Sequence, residues 1–175
     1  MTVGRELAPG EWSLLALLAD RPAHGFALAK EMEPTGEIGR VWSMRRSLVY
    51  RALDLLESRG LIKATGRERG ARGPSRELFG ATDEGRDALR RWLAAPVEHV
   101  HEMRSLLLLK LVLLERAGLD RRPLLEAQRE QVVAALEELE ARLRSSAGVE
   151  QILTRFRLET NRSVLHFVDS LLADS

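Results

Sequence analysis

A glycine at position 60 separates two segments with different periodicities, and this constrains the fold more than any other feature. The segment before it, VWSMRRSLVYRALDLLESRG, has apolar residues at helical spacing, and Ser43 stands where a helix N-cap is favoured. Gly60 suits the left-handed conformation that follows a helix end. The segment after it alternates in part and leads into a turn with glycine and proline, which predicts a β-hairpin. The helix is expected to bury Leu48, Ala52, Leu55 and Leu56.

Three more helices are predicted around this pair. The first covers residues 9–19, and the second covers residues 26–32 with Gly25 as its N-cap. After the hairpin, in which LIKATGRER pairs with SRELFGA, Thr82 caps a further helix with acids in its first turn. The order helix, helix, helix, hairpin, helix predicts a winged helix-turn-helix. The inward side of the second helix is expected to contain Phe26, Leu28, Ala29 and Met32.

The composition changes after Pro96. A segment that is apolar nearly all round comes first, and a long charged helix with leucines at coiled-coil spacing follows it and ends before Gly148. Such surfaces need a partner, most simply a second copy of the chain. We therefore predict a winged helix-turn-helix DNA-binding domain over residues 1–95 and a helical domain for dimerisation and a possible effector over residues 96–175, in a mainly α chain with one small β-hairpin. The predicted dimerisation seam consists of Leu125, Val132, Leu136, Leu139 and Leu143.

Positive charge is concentrated in one part of the chain. Residues 40–76 carry ten Lys or Arg against three acids, whereas residues 96–175 carry 11 basic and 13 acidic side chains. The whole chain has a net charge of only +1. A local cationic block on a nearly neutral protein is typical of a nucleic-acid reader, although a charge run also serves simply to solvate a face.

The basic block supplies side chains suited to double-stranded DNA. A recognition helix places a few residues from its N-terminal end in the major groove, and a hairpin tip contacts the adjacent phosphates or minor groove. Arginine donates to guanine or phosphate, and hydroxyl groups donate to phosphate or base edges. The predicted DNA-binding residues are Arg45, Arg46, Ser47, Tyr50 and Arg51 on the helix, and Arg69, Arg72 and Arg76 on the wing.

Other classes of function find little support. The chain has no cysteine, and no nucleophile–histidine–acid order or phosphate-binding loop is present, so we predict no enzyme and no cofactor. On a helix, His99 and His101 would lie about 200° apart and could not share one metal ion, so no metal site is predicted. The start of the chain is unlike a secretory signal and the apolar run of the tail is too short for a membrane span, so we expect a cytoplasmic protein without membrane contact.

Several motifs resemble the PadR family of transcriptional regulators: HGFALAKEM, SLVYRALDLLESRGLI and GPSRELFGATDEGRDALRRWL. The resemblance covers about residues 12–93, and the tail is similar to the subgroup with a long C-terminal helical domain. It implies a homodimer that binds a two-fold symmetric operator, usually as a repressor, and a small aromatic effector. Trp12 and Trp92 are the candidate effector residues, although both also suit the core. Leu78 and Phe79 followed by Gly80 depart from the aromatic pair usual on the last wing strand, which leaves that strand's register open.

Two other functions remain alternatives. A winged helix can act as a protein–protein interaction module without DNA binding, with the leucine-rich tail as its docking surface. The chain can also be a binding protein that sequesters a ligand in the tail. The basic wing and the hydroxyl-bearing helix front favour a DNA-binding regulator over both.

Overall fold

The computed structural model describes residues 6–68 and 75–174, in two compact units, Met1–Trp92 and Leu93–Ser175. The first unit contains three helices, a two-stranded antiparallel hairpin and most of a fourth helix, in the order that the sequence predicts. This confirms the mainly α fold with a winged helix-turn-helix. The elements are α1 (Pro9–Asp20), α2 (Gly25–Glu31), α3 (Arg46–Ser58), β1 (Ile62–Glu68), β2 (Arg76–Ala81) and α4 (Asp83–Ala94).

The core of the first unit lies where α1, α2 and the hairpin pack against α3. Helix α1 is apolar on most of its surface and buries four leucines, while α2 buries Leu28 and Ala29. Ile62 at the start of β1 continues this core into the hairpin. Burial of this kind contributes about 25 cal/mol for each Å² of apolar surface removed from water. The largest side chains that are buried almost completely are Leu14, Leu15, Leu18, Leu28, Met32, Ile38, Leu56 and Ile62.

The recognition helix α3 starts later and is rotated relative to the prediction. Arg45, not Ser43, is its N-cap, and no side chain caps it. Leu48 is 43% exposed, and Leu55 is only half-buried. Both candidate stripes satisfy helical spacing, so the choice between them depends on packing against α1 and α2. The buried stripe is Val49, Ala52, Leu53 and Leu56.

The start of α2 also differs from the prediction. Its N-cap is His24, whose Nδ1 accepts a hydrogen bond from the backbone N–H of Ala27 at 3.0 Å. Gly25 is the first residue of the helix. Phe26, expected on the inward side, is 43% exposed. At about 100° per residue, Phe26 lies about 160° around the helix from Leu28 and about 120° from Met32, so it is directed away from the buried stripe.

The wing has a bulge that settles its register. Ile62 pairs with Ala81 and Ala64 with Phe79, and the register shifts between Ala64 and Gly66. Phe79 also exchanges two backbone hydrogen bonds with Ala23, at 2.9 and 3.0 Å. The hairpin is thereby tied to the segment before α2, and the open register of the last strand is resolved by this third short pairing. Arg69 and Arg72 lie outside the described residues.

Thr82 caps α4 as predicted and joins it to the end of α3. Its hydroxyl accepts from the backbone N–H of Gly85 at 3.1 Å and donates to the carbonyl of Gly60 at 2.6 Å. Its own N–H donates to the carbonyl of Leu61 at 3.0 Å. Gly85 approaches so closely that a Cβ there would lie 2.1 Å from the same carbonyl oxygen. The α3–wing junction therefore rests directly on the first turn of α4.

The second unit consists of helices. They are α5 (Val100–Glu102), a π-helical turn (Met103–Leu107), α6 (Leu108–Arg116), α7 (Arg122–Ser145) and α8 (Gly148–Ala173). Helices α7 and α8 form a hairpin that turns at Gly148, whose φ is +58°. The segment before α5 is held by buried Gln128, which accepts from the backbone N–H of Val97 at 2.7 Å and donates to its carbonyl at 3.1 Å. Lys110, also buried, donates to the carbonyl of Ala95 at 2.6 Å.

His99 and His101 are not arranged as the sequence predicts. His99 precedes α5 as its N-cap, so the helical angle between the two residues does not apply, and their rings stack at 5.5 Å between centroids. Within residues 6–68 and 75–174, no group of three or more histidine, aspartate or glutamate side chains is placed to hold a metal ion. None of the helices described is long and apolar enough to cross a membrane.

Candidate nucleic-acid interface

The N-terminal half of α3 presents an exposed basic surface. Because Val49, Ala52, Leu53 and Leu56 turn into the core, the opposite side of the helix faces solvent. All five helix residues predicted to bind DNA are on this exposed side. They are Arg45, Arg46, Ser47, Tyr50 and Arg51.

Tyr50 connects this surface to α2. Its ring is 41% exposed, and a Cβ added at Gly25 would lie 2.6 Å from its Cε1 atom. The ring therefore packs on the backbone at the start of α2 while part of it stays open to solvent. The guanidinium carbon of Arg46 lies 5.9 Å from the ring centroid, within cation–π range. Tyr50 is thus neither a core residue nor free of contacts.

The wing adds cationic side chains beside the helix. Arg76, the first residue of β2, is exposed, as are Lys63 and Arg67 on β1. Lys63 and Arg67 were not among the predicted DNA-binding residues, although they belong to the basic block of the sequence. Their place in this basic block, on the strand that directly follows the recognition helix, is the signal that would have found them.

Phe26 brings the helix and the wing together. The guanidinium carbon of Arg46 lies 5.0 Å from its ring centroid, and that of Arg76 lies 4.9 Å from it. The Nη1 atom of Arg76 is also 3.4 Å from Nε2 of His24. That same Nε2 is 3.5 Å from a carboxylate oxygen of Glu68. Neither Phe26 nor His24 was predicted to belong to the site.

The basic surface differs from the tail in how its charges are neutralised. In the part of the chain that the structure describes, Arg45, Arg46 and Arg51 make no ion pair with a carboxylate. In the tail, by contrast, Arg129 pairs with Asp169 at 2.8 Å, and Arg162 pairs with acids of α7 and α8. The arginines of α3 are therefore available to an external anion.

Trp12 and Trp92, the predicted effector residues, lie together in the first unit. Their rings stack with 5.0 Å between centroids and 12° between planes. Trp12 is buried, and its indole N–H has no hydrogen-bond acceptor among the described residues. A buried donor without an acceptor costs free energy, about 1–3 kcal/mol. The pair therefore combines a core contact with one unsatisfied polar atom.

The predicted dimerisation seam is mostly covered within the single chain. Leu125 and Val132 are completely buried, and Leu136, Leu139 and Leu143 are half-buried. The apolar run before α7 is largely buried as well, so it does not by itself require a partner. Four exposed apolar side chains lie instead at the start of α8, at positions i, i+3, i+4 and i+7: Val149, Ile152, Leu153 and Phe156.

Comparisons with known proteins agree with this architecture. Residues 14–91 match the family described as "Transcriptional regulator PadR-like family". The chain is 28% identical over 85 residues to the probable transcriptional regulator Rv1176c of Mycobacterium tuberculosis; the match covers 49% of this chain and 43% of that protein. The fold is similar to that in the crystal structure of Bacillus subtilis PadR in complex with operator DNA, with a TM-score of 0.50. The two chains are 19% identical, and the match covers 98% of this chain and 100% of that one.

Proposed function

Residues 14–91 form a domain of the PadR-like family of transcriptional regulators, and from this we propose that the chain regulates transcription by binding double-stranded DNA. Helix α3 enters the major groove with Arg45 and Arg46 at its leading end. The observation that carries the proposal is the exposed face of α3, where these arginines have no carboxylate partner among the described residues. A face of this kind binds phosphates and guanine edges well.

The wing contacts the DNA backbone beside the groove. Arg76 and Arg67 are exposed on the two strands, and Arg69 and Arg72 extend the same basic block in the sequence. Contacts of this kind orient the protein on the duplex without reading its sequence. We therefore assign the sequence preference to α3 and the general affinity to the wing.

A second copy of the chain completes the regulator. The exposed apolar residues of α8 form an i, i+3, i+4, i+7 series, which is the pattern of a helix that packs against another helix. In a two-fold dimer the two α3 helices would reach half-sites about 34–36 Å apart, or a multiple of this distance. We propose that such a dimer acts as a repressor at a two-fold symmetric operator.

A small aromatic ligand is the proposed effector, with Trp12 and Trp92 as its contacts. The support is the buried indole N–H of Trp12, which a polar atom of a ligand would satisfy, beside a flat partner ring. Titration of the dimer with phenolic acids tests this, followed by the combined fluorescence of Trp12 and Trp92 in a variant in which Trp42 is replaced by Phe. No change in the fluorescence or in DNA affinity would remove these two residues from the site.

DNA binding is tested by fluorescence anisotropy with a labelled duplex over a salt series. A dimer that binds phosphates must lose affinity steeply as salt rises, because counterions are released from DNA on binding. Arg51→Ala is expected to lower the slope of log K against log salt by about one. Arg144→Ala removes an exposed arginine of α7 and should leave the slope unchanged. Binding that does not depend on salt would favour the protein–protein interaction module instead.

Tyr50→Phe removes only the hydroxyl, since the ring contact with Gly25 remains. If that hydroxyl donates to DNA, affinity for the operator falls by about 0.5–1.5 kcal/mol, while the melting temperature stays the same. Anisotropy and thermal denaturation on the same preparation measure both quantities. Unaltered affinity would show that Tyr50 serves only to pack α3 against α2.

A further inference from the structure

We propose that Phe26 is a positioning residue for DNA binding, whose ring holds Arg46 of the recognition helix and Arg76 of the wing in one arrangement before DNA is bound. This inference rests on the proposed function, because it concerns the same two arginines. It assigns a role to a residue of α2 that lies outside the basic block of the sequence. It also explains how the helix and the wing act as one surface.

The placement of Phe26 is the first observation. The side chain is 43% exposed although it is fully apolar, and it lies beside α3 on a helix whose other large apolar residues are buried. The ring contacts two cations, Arg46 at 5.0 Å and Arg76 at 4.9 Å from its centroid, and the ring of His24 at 6.3 Å between centroids. Both arginine distances are within the range in which the negative face of an aromatic ring attracts a guanidinium group.

The charges of the two arginines give the second argument. Each guanidinium carbon lies about 5 Å from the same ring, so the two carbons are at most about 10 Å apart and repel each other. No carboxylate pairs with Arg46 in the described part of the chain. The attraction of both guanidinium groups to the shared ring opposes this repulsion in the free protein. In the complex, a DNA phosphate takes over this role.

His24 lies beside Arg76 but does not accept a hydrogen bond from it. Because its Nδ1 accepts from the N–H of Ala27, its Nε2 carries the ring proton and cannot accept from Nη1 of Arg76, which is 3.4 Å away. Arg46 in turn lies 5.9 Å from the ring centroid of Tyr50. Free arginine side chains have many rotamers, and ordering them before binding reduces the entropy lost in the complex. Phe26 is the residue that these two ordered arginines share.

Two variants separate the ring face from simple apolar volume. Phe26→Leu keeps an apolar side chain but has no aromatic face, whereas Phe26→Tyr keeps the face. With a labelled mixed-sequence duplex of about 30 base pairs, long enough for two half-sites, Phe26→Leu is expected to bind about three- to tenfold more weakly than wild type. Phe26→Tyr should recover most of that loss. Equal affinities of Phe26→Leu and wild type would overturn the inference.

A double-mutant cycle distinguishes positioning from a structural role. If Phe26 acts through the arginines, Phe26→Leu has no further effect on DNA affinity in a chain that already carries Arg46→Ala and Arg76→Ala. A purely structural residue would lower the affinity by the same factor in both backgrounds, which would contradict the proposal. The melting temperature of Phe26→Leu, measured in parallel, should match that of wild type because the side chain is largely outside the core.

A measurement without DNA completes the test. In the free protein, the Nε–Hε resonances of Arg46 and Arg76 should show ring-current shifts that disappear in Phe26→Leu and persist in Phe26→Tyr. Absence of these shifts in wild type would refute the arrangement itself. If wild type shows the shifts but binds no duplex, the proposed function is wrong; if it binds duplex and Phe26→Leu binds as well, only this inference is wrong.

Discussion

Replacing both Ile152 and Phe156 with glutamate is expected to produce a monomer that binds a full operator at least about 100-fold more weakly than wild type. Both side chains are 69% exposed in the single chain, so the change should not disturb the packing of α8 on α7. In the proposed dimer they become buried, and four glutamates would then face one apolar interface. Burial of unpaired charges costs far more than such an interface gains.

The loss of affinity follows from the loss of the second half-site. A single winged helix contacts one half-site, while the dimer delivers the second at a high effective concentration, which commonly adds a factor of about 10² to 10⁴. No residue of the DNA-facing surface changes in the variant. A large effect on operator binding would therefore come from assembly alone.

Size-exclusion chromatography with light scattering, beside anisotropy on the same sample, measures both consequences. The control is the pair Ala134→Glu and Ala141→Glu, which adds the same charge at exposed positions of α7 outside the apolar series. This control should remain dimeric and bind almost as wild type. A soluble Ile152/Phe156 monomer that binds the full operator as tightly as wild type would refute the dimer and the two-half-site mechanism together.

Gly85→Ala is expected to destabilise the N-terminal unit by about 2–4 kcal/mol. The added Cβ would lie 2.1 Å from the carbonyl oxygen of Leu61, which already accepts a hydrogen bond from Thr82. Backbone cannot move aside as a side chain can, so α4 must shift away from the turn that joins α3 to the wing. The melting temperature should fall by about 10–20 °C.

Gly66→Ala is the matched control for this variant. It adds the same methyl group in the same unit, but nothing lies within 4 Å of the position that the Cβ would take. Thermal denaturation followed by circular dichroism should show a change of less than about 1 kcal/mol. If Gly85→Ala melted as wild type does, the close approach of α4 to Leu61 would not exist in solution.

Sequence patterns predict some features of the recognition helix and miss others. Its existence, its end near Gly60 and its exposed Arg45, Ser47 and Tyr50 follow from periodicity and a stop signal. Its buried stripe does not, because Leu48 and Val49 both fit helical spacing and differ by one position. Contact with α1 and α2 selects Val49, and Leu48 remains exposed.

The composite site is less predictable still. Phe26 is apolar in a helix with an apolar side, so its sequence neighbours favour burial. Its contact with Arg76 joins residues fifty positions apart, which no local pattern encodes. The tail shows the same limit. Coiled-coil spacing in the sequence predicts that Leu125 and Val132 are buried, but it does not say which helix covers them. In the structure, α7 packs against α8 of the same chain.

The sequence by itself determined the order of helices and strands, the capped start of α4 at Thr82, and the basic character of α3 and the wing. Each of these features depends on residues within one or two turns of one another. Tertiary structure alone decided which face of α3 is buried, the bulged register that ties Phe79 to Ala23, and the meeting of Arg46 and Arg76 on Phe26. The physical reason is that burial and cation–π contact depend on distances between elements that are far apart in the chain, and those distances exist only once the core has closed.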